Sequence, residues 1–574
     1  MVDSKSAGKA VPGRRDKIAA EAFLQSLQEC GVDYLFANPG TDFPPVVEAY
    51  GRAARSNAKV PQPLVVPHEN LAVAMAHGAY AMTGRMQAVM LHVNVGTANA
   101  INNILNMSRD RIPLMLIAGR TPIMEKDAFG SRNRPVHWGQ EMFDQASMLR
   151  EAVKWDYELR APEQASDVVC RAHEVSMTSP RGPVYLTLPR EPLSAPVPED
   201  FMLSSPRAVP TRPYPDAAAI RQLSEWVAQA RFPIIITTSS GADAMPALAL
   251  LAERFSIPVV THRQLMVCLP SSHPMNAGFD PTALMAKADL IIELECDVPY
   301  IPNVHGVPQP NTKLISIGED PAFVRYPMRN FQTNLTITAS AASALEALNT
   351  SLDGQLFDEA SMQERRRWIE EFKGKRKSAL EKVSQPNGNQ ITLAYLSRVI
   401  GEILGDDAVI FNEYSLSQDH CPREKPNTYF GLSSAGGLGW GLGAALGAKL
   451  AAPEKMVAAV VGDGSYLFSN PMVAHWTADA HKLPFLTIII NNSGYGAVRT
   501  ATLSMFKDGV AGEDGGRFMS DLNPSPQFDV AAQAQGAYGV RVSDAADLAK
   551  VLKQARDTVE KEQRQAVVNV ICPY

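Results

Sequence analysis

A short apolar run, Lys455-Met456-Val457-Ala458-Ala459-Val460-Val461, stops at Gly462-Asp463-Gly464-Ser465. A Val-rich run of this kind predicts a buried parallel strand closing in a tight turn. Pro471 to His481 predicts a helix. Phe485-Leu486-Thr487-Ile488-Ile489-Ile490 predicts a second buried strand, which delivers Asn491-Asn492 at its C-terminal end. Strand, turn, helix and strand put both loops on one edge of a sheet, where open α/β sheets bind ligands. Asp463 and Asn492 are therefore expected to converge. One carboxylate, one amide oxygen and a nearby backbone carbonyl suit a hard cation such as Mg²⁺, which takes oxygen ligands and usually keeps phosphate oxygens as well. The glycines let the backbone approach those phosphates.

Gly-Asp-Gly followed at the next strand end by Asn-Asn resembles the cofactor motif of thiamine diphosphate enzymes. The resemblance implies that Asp463, Asn492 and the backbone carbonyl of Gly494 hold Mg²⁺. It places Gly464, Ser465 and Tyr495 at the diphosphate, with Ser415 offering a further hydroxyl.

The rest of the chain is ordinary for a soluble globular protein. Its 574 residues suggest about three domains. It is 45% hydrophobic and 20% charged, with a formal net charge of −6 and no basic block. A nucleic-acid or membrane-surface partner is not indicated. Six cysteines lie scattered, none at CxxC spacing, so neither a zinc site nor a disulfide framework is expected. Reduced, buried thiols fit a cytoplasmic protein. No segment is long and apolar enough to span a bilayer. Residues 1–15 are polar, lack the apolar core of a signal peptide, and are expected to form a disordered leader.

Along the chain, Lys17–Gly31 has helical periodicity, and Val32–Phe36 is strand-like with the turn Asn38-Pro39-Gly40-Thr41 beyond it. Leu64–Val66 runs into His68-Glu69-Asn70 and a helix over Leu71–Thr83, rich in alanine. Ala88–His92 is a third strand leading to an expected turn at Val95-Gly96-Thr97, then a helix over Asn99–Ser108 and a strand over Pro113–Ala118. Val184–Leu188 closes this unit, and prolines from Pro192 to Pro215 predict an extended linker. A second unit has strands at Pro233–Ile236, Pro258–Val260, Leu290–Glu293 and Lys313–Ile317. Gln355–Lys382 is a charged connecting helix, with Glu364-Arg365-Arg366-Arg367 expected to be solvated. Alternating strands and helices predict parallel, doubly wound sheets.

This order is similar to the decarboxylase and acetolactate synthase branch of the thiamine diphosphate enzymes, over nearly the whole chain. The fold implied is α/β, with three doubly wound parallel-sheet domains: pyrimidine-binding at 16–195, middle at 214–348 and diphosphate-binding at 385–574. In that family a glutamate at the position of Glu69 hydrogen-bonds a ring nitrogen of the aminopyrimidine; the plain reading is an acid at a helix N-terminus. Leu438, in Ala435-Gly436-Gly437-Leu438-Gly439, matches the apolar wedge that bends the cofactor, and Gly436 lets a carbonyl meet the exocyclic nitrogen. Asn38, Pro39 and Gly40 fall at the cofactor.

Asn38–Thr41, Leu91-His92 with Gly96-Thr97-Ala98-Asn99, Trp476-Thr477-Ala478 and Asn492–Arg499 resemble the benzoylformate decarboxylases. Those enzymes carry two active-site histidines and a serine. His92 matches the first histidine and His305 is assigned to the second, a surface-loop histidine being the plain reading of His305. Thr41 replaces the serine with a β-branched hydroxyl. Histidine titrates near working pH and can serve as proton donor and acceptor. The segment Ser131–Glu141 departs from this pattern. It is rich in Arg and His and resembles the glutamine-glutamate stretch of acetolactate synthases. Arg132 or Arg134 would hold an anionic substrate, or the segment is a solvated loop. Thr500–Pro526, with several glycines, has the composition of a mobile lid.

The activity implied is Mg²⁺- and thiamine diphosphate-dependent decarboxylation of a 2-oxo acid through an enamine, an aryl acid being one candidate substrate, with carboligation to an aldehyde as a second outcome. The alternatives are an acetolactate-synthase-like carboligase and a catalytically silent cofactor-binding member. The resemblance also implies a homodimer or homotetramer, each site taking Glu69 from one subunit and Asp463 from its neighbour. The small-residue stretches Leu71–Ala81 and Gly436–Gly447 suit either a dimer core or a close helix contact within one chain.

Overall fold

The computed structural model describes residues 16–414 and 416–573. Its strands form three all-parallel sheets. The first contains β1 (Tyr34–Asn38), β2 (Gln62–Val65), β3 (Gln87–Leu91), β4 (Leu114–Arg120), β5 (Asp156–Glu158) and β6 (Val184–Pro189), in the order β2-β1-β3-β4-β6-β5. The middle sheet contains β7 (Pro233–Thr237), β8 (Val259–Thr261), β9 (Leu290–Leu294), β10 (Lys313–Gly318) and β11 (Leu335–Thr338), in the order β11-β10-β9-β7-β8. The third contains β12 (Val409–Glu413), β13 (Tyr429–Gly431), β14 (Val457–Gly462), β15 (Leu486–Asn491), β16 (Tyr538–Val542) and β17 (Ala566–Ile571), in the order β13-β12-β14-β15-β17-β16. Central strands such as β3, β7, β9 and β15 are buried along their whole length. That explains their unbroken apolar runs, because helices cover both faces of a parallel sheet.

Contacts divide the chain into two compact units. The first comprises the chain to Pro210 with Ser433–Pro453 and Leu467–Leu483; the second comprises Thr211–Leu432, Glu454–Tyr466 and the chain from Pro484. The first sheet lies in the first unit, and the middle and third sheets lie in the second.

Within the first unit, the helix Glu69–Thr83 packs on the helix Gly441–Ala451. Here the small residues are used inside one chain, so their composition does not argue for a subunit interface. The approach is backbone to backbone. A Cβ on Gly78 would lie 1.8 Å from the Ala444 carbonyl oxygen, and one on Gly447 would lie 1.8 Å from that of Met75. Trp440 Nε1 donates to His77 Nδ1 at 3.0 Å, and burial pushes the His77 pKa down to about 4, so this histidine is a neutral acceptor.

Several expectations change. Val95-Gly96-Thr97 is not a turn: the helix Val93–Arg109 begins directly after His92 and contains all three. A glycine and two β-branched residues disguised its first turn. Pro192 belongs to the short helix Arg190–Ser194, while residues 201–215 carry neither helix nor strand. Arg365 is not solvated. It is 3% exposed, and its guanidinium donates to the carbonyls of Phe255, Ser256 and Arg231 at 2.8–2.9 Å. Those carbonyls lie at and just beyond the end of the helix Met245–Phe255 and just before β7, where no ladder satisfies them. The expected leader, 1–15, falls outside the described residues. Among the described residues, no helix is long and apolar enough to cross a membrane.

Candidate active site

In the first unit the register pairs Asn38 of β1 with Leu91 of β3. The residues just past these strand ends are therefore neighbours. Thr41, Asp42, His92, Val93, Arg120, Thr121, Pro122, His137, Gln140 and Arg190 line one pocket. Two predicted residues, Thr41 and His92, are thus brought together, and Gly40 lies against the His92 ring. Asn38, half-buried, ends β1, and Pro39 is exposed beside it.

Asp42 was not singled out from the sequence. Its carboxylate lies 2.5 Å from His92 Nδ1 and accepts the Val93 amide at 3.3 Å. The bond to Asp42 raises the His92 pKa against the opposing effect of burial. Gln140 Nε2 lies 3.3 Å from His92 Nε2. His137 is 3% exposed and accepts the Asn133 amide on Nδ1; burial, then the nearby Arg190, lowers its pKa. The one sequence signal for the Asp42–His92 pair is the adjacency of β1 and β3, which a doubly wound sheet allows but a linear reading does not reveal.

Arg132 is not available to a substrate carboxylate. Its guanidinium pairs with Glu141, donates to the Pro122 carbonyl and covers the Trp138 ring. Arg120 is similarly held by Glu141 and Glu158. Arg134 lines a shallow hollow with Asn133, Pro135 and Trp138.

Glu69 opens its helix and is 8% exposed. Its Oε2 accepts Asn99 Nδ2 at 3.1 Å, and a Cβ on Gly96 would sit 3.3 Å from Oε1. In the wedge loop, Gly436 has φ +66°, a conformation that favours glycine. Asn106 Nδ2 donates to the Gly437 carbonyl at 2.7 Å and Asn102 Nδ2 to the Leu438 carbonyl at 2.6 Å. Both asparagines come from the helix that starts after His92, so one element fixes the Leu438 backbone and carries the histidine at its N-cap.

In the second unit, β14 pairs Gly462 with Ile490 of β15. Asp463, 3% exposed, accepts the amides of Gly464 at 2.7 Å and Gly494 at 3.1 Å. Burial raises its pKa against those amide donors. Asn492 Oδ1 is buried without a hydrogen-bond partner. The Gly494 carbonyl accepts the Gly496 amide at 3.0 Å and keeps a second lone pair. A buried carboxylate, an unpaired amide oxygen and a carbonyl fit a hard divalent cation, which would supply the missing positive charge. Gly464 lies under the Tyr495 ring, and Ser465 is buried beside it. Ser415 falls outside the described residues. The expected lid is tied at both ends: the helix Gly496–Met505 starts it, and Tyr495 N donates to the Ser520 carbonyl at 2.7 Å.

His305 closes the short helix Pro302–His305 in the second unit. Its Nδ1 accepts the Ile301 amide at 2.9 Å, and its ring meets His262 edge-on, with centroids 5.0 Å apart.

Three family models cover most of the chain. Residues 18–148 match the N-terminal TPP binding domain of thiamine pyrophosphate enzymes, 220–348 their central domain and 413–570 their C-terminal TPP binding domain. The chain is a thiamine diphosphate enzyme. Its cofactor is thiamine diphosphate, and its family includes decarboxylases and acetolactate synthases. The enzyme is 25% identical to the acetolactate synthase large subunit of Corynebacterium glutamicum, covering 96% of this chain and 86% of that one. It is also 25% identical to the benzoylformate decarboxylase of Pseudomonas aeruginosa, over 84% of this chain and 87% of that one. The fold is shared with the 4-hydroxybenzoylformate decarboxylase of Rhodococcus jostii, at a TM-score of 0.77, 23% identity and coverage of 97% and 99%.

Proposed function

We propose that this thiamine diphosphate enzyme decarboxylates a 2-oxo acid with the help of Mg²⁺. When bound, the cofactor supplies a cationic thiazolium that acts as the electron sink. Asp463, Asn492 and the Gly494 carbonyl would hold the metal, and Gly464, Ser465, Ser415 and Tyr495 the diphosphate. Asn38, Pro39 and Gly40 would border the cofactor in a pyrimidine-binding domain spanning 16–195, with domains at 214–348 and 385–574 completing the chain. Glu69, steadied by Asn99, would hold a proton at a ring nitrogen of the aminopyrimidine. Leu438 would set the bend, and Gly436 would offer its carbonyl to the exocyclic nitrogen. His92 would donate a proton to developing charge on the substrate, with Thr41 as a neighbouring hydroxyl and His305 as the second histidine.

The observation that carries this reading is the pocket in which Thr41 and His92 meet beside the Asp42 carboxylate. An intact Glu69, His92, Asp463 and Asn492 set argues against a silent member. The test is CO₂ release from a panel of 2-oxo acids, aryl and aliphatic, with and without an aldehyde acceptor. Release from at least one acid without acceptor is expected. Acetolactate and CO₂ formed together from pyruvate, with no free aldehyde released from any acid, would overturn it in favour of a carboligase. A homodimer or homotetramer is proposed with it. Glu69→Gln and Asp463→Ala proteins, each inactive alone, should regain part of the activity when mixed. A cofactor-loaded, active monomer in sedimentation would sink the shared-site arrangement.

A further inference from the structure

We propose that Asp42 is a positioning residue: its carboxylate keeps the Nδ1 proton of His92 turned inward, so that Nε2 is the atom that gives and takes protons in the pocket. This rests on the decarboxylase reading above. The pair is held from several sides. Asp42 is 4% exposed, and its two oxygens are divided between His92 Nδ1 at 2.5 Å and the Val93 amide at 3.3 Å. Each partner is backed on one side by a glycine that leaves space for it. A Cβ on Gly119 would lie 1.7 Å from Asp42 Oδ2, and one on Gly40 would lie 2.1 Å from His92 Nδ1. Val93 has φ +34°, which is costly for a β-branched residue, and its amide is the one that Asp42 accepts.

A carboxylate at one imidazole nitrogen fixes the tautomer and stabilises the protonated ring, leaving the other nitrogen for chemistry. Here that other nitrogen, Nε2, stands 3.3 Å from the Gln140 amide group, which can donate to it or, turned over, accept from it. The charged and titratable groups facing His92 are Asp42, Glu69, His137, Arg120 and Arg190. Arg120 is occupied by Glu141 and Glu158, and Arg190 donates to the carbonyls of Ser131 and Thr41. Burial and Arg190 lower the His137 pKa, so this ring adds less positive charge beside His92 than a free histidine would. The carboxylates therefore prevail at His92, and its imidazolium persists to higher pH than that of a free histidine. Asp42 itself need touch neither substrate nor cofactor.

The test compares wild type with Asp42→Asn, which keeps the side-chain shape, and Asp42→Ala. Asp42→Asn should lower kcat by about 10²–10⁴-fold, the range for a positioned acid or base, with little change in KM. Exchange of the cofactor C2 proton, which reads Glu69, should stay at the wild-type rate. In protein labelled at histidine with ¹⁵N and ¹³C, the His92 resonance is assigned by its loss in His92→Gln. In wild type that resonance should report the Nδ1–H tautomer, and its titration should move to lower pH in Asp42→Asn. Wild-type kcat in Asp42→Asn, an unchanged His92 titration, or an Nε2–H tautomer in wild type would each overturn the proposal. If both variants fail to fold, the wild-type tautomer decides alone. If wild type releases no CO₂ from any 2-oxo acid, the decarboxylase reading fails, while the tautomer still decides whether Asp42 orients His92.

Discussion

The first and third sheets have the same strand order. Numbered from its own first strand, each runs 2-1-3-4-6-5. The residue one step beyond the third strand is His92 in one sheet and Asp463 in the other. In the first sheet the imidazole meets a carboxylate from the loop after strand one, and the pair satisfies itself. In the third, the carboxylate meets only backbone amides, and Asn492 Oδ1 beside it has no partner. One arrangement places loops, and on the proposed reading the residue set at the strand end decides whether they move a proton or take a cation. Changes in the third sheet should therefore read out as binding, and changes in the first as turnover.

The strongest attempt to break this contrast is Asp463→Ala. Its affinity for thiamine diphosphate in the presence of Mg²⁺ should fall at least about 100-fold, since even an outer-shell partner of a metal ligand costs up to that much. Calorimetry showing wild-type affinity would remove the metal role from this loop. On the other sheet, Glu69→Gln should bind cofactor normally but exchange its C2 proton about 10²–10⁴-fold more slowly. Normal exchange by NMR would take Glu69 out of the activation step.

Legibility in the sequence follows the same divide. That the Asp463 and Asn492 loops would be neighbours could be read because both are contiguous with long apolar strands, and β14 and β15 are consecutive in both chain and sheet. In the first sheet, β1 and β3 are neighbours with β2 outside them, so Asp42 and His92 meet across an intervening strand and two helices that no spacing rule bridges. Glu69 is proposed from its context, yet its partner Asn99 sits in a helix whose start was hidden by Gly96 and Thr97. Arg365 was lost in a charged run because burial by three carbonyls leaves no composition signal.

Arg365, which braces the segment just before β7 in the middle sheet, ordered 5-4-3-1-2 in the same numbering, serves as an internal control. Arg365→Met should leave its carbonyls unsatisfied and cost about 1–3 kcal/mol, with kcat per folded enzyme unchanged. A matching loss of kcat in a denaturant-titrated sample would show that Arg365 is not neutral. The smallest effect concerns pH. The His92 pKa is raised in the folded state above its ordinary 6.5. The stabilisation from the protonated pair is therefore complete below about pH 6.5 and is lost as pH rises through the higher folded value. Thermal melts between pH 6 and 8 should show a decline that is shallower in His92→Gln, and equal slopes would discount the pair.

The contact between Gly78 and the Ala444 carbonyl, and between Gly447 and the Met75 carbonyl, joins the helix that begins at Glu69 to the one that follows Leu438. One added methyl group would wedge apart the helix that starts at Glu69 and the helix that follows Leu438, the two residues proposed to activate and to bend the cofactor. In a random library sorted on turnover, substitutions of these two glycines should vanish as completely as those of a catalytic side chain. A lineage free to drift over most of its surface would inherit them unchanged, so a map of permitted substitutions would mark an active site larger than the chemistry itself.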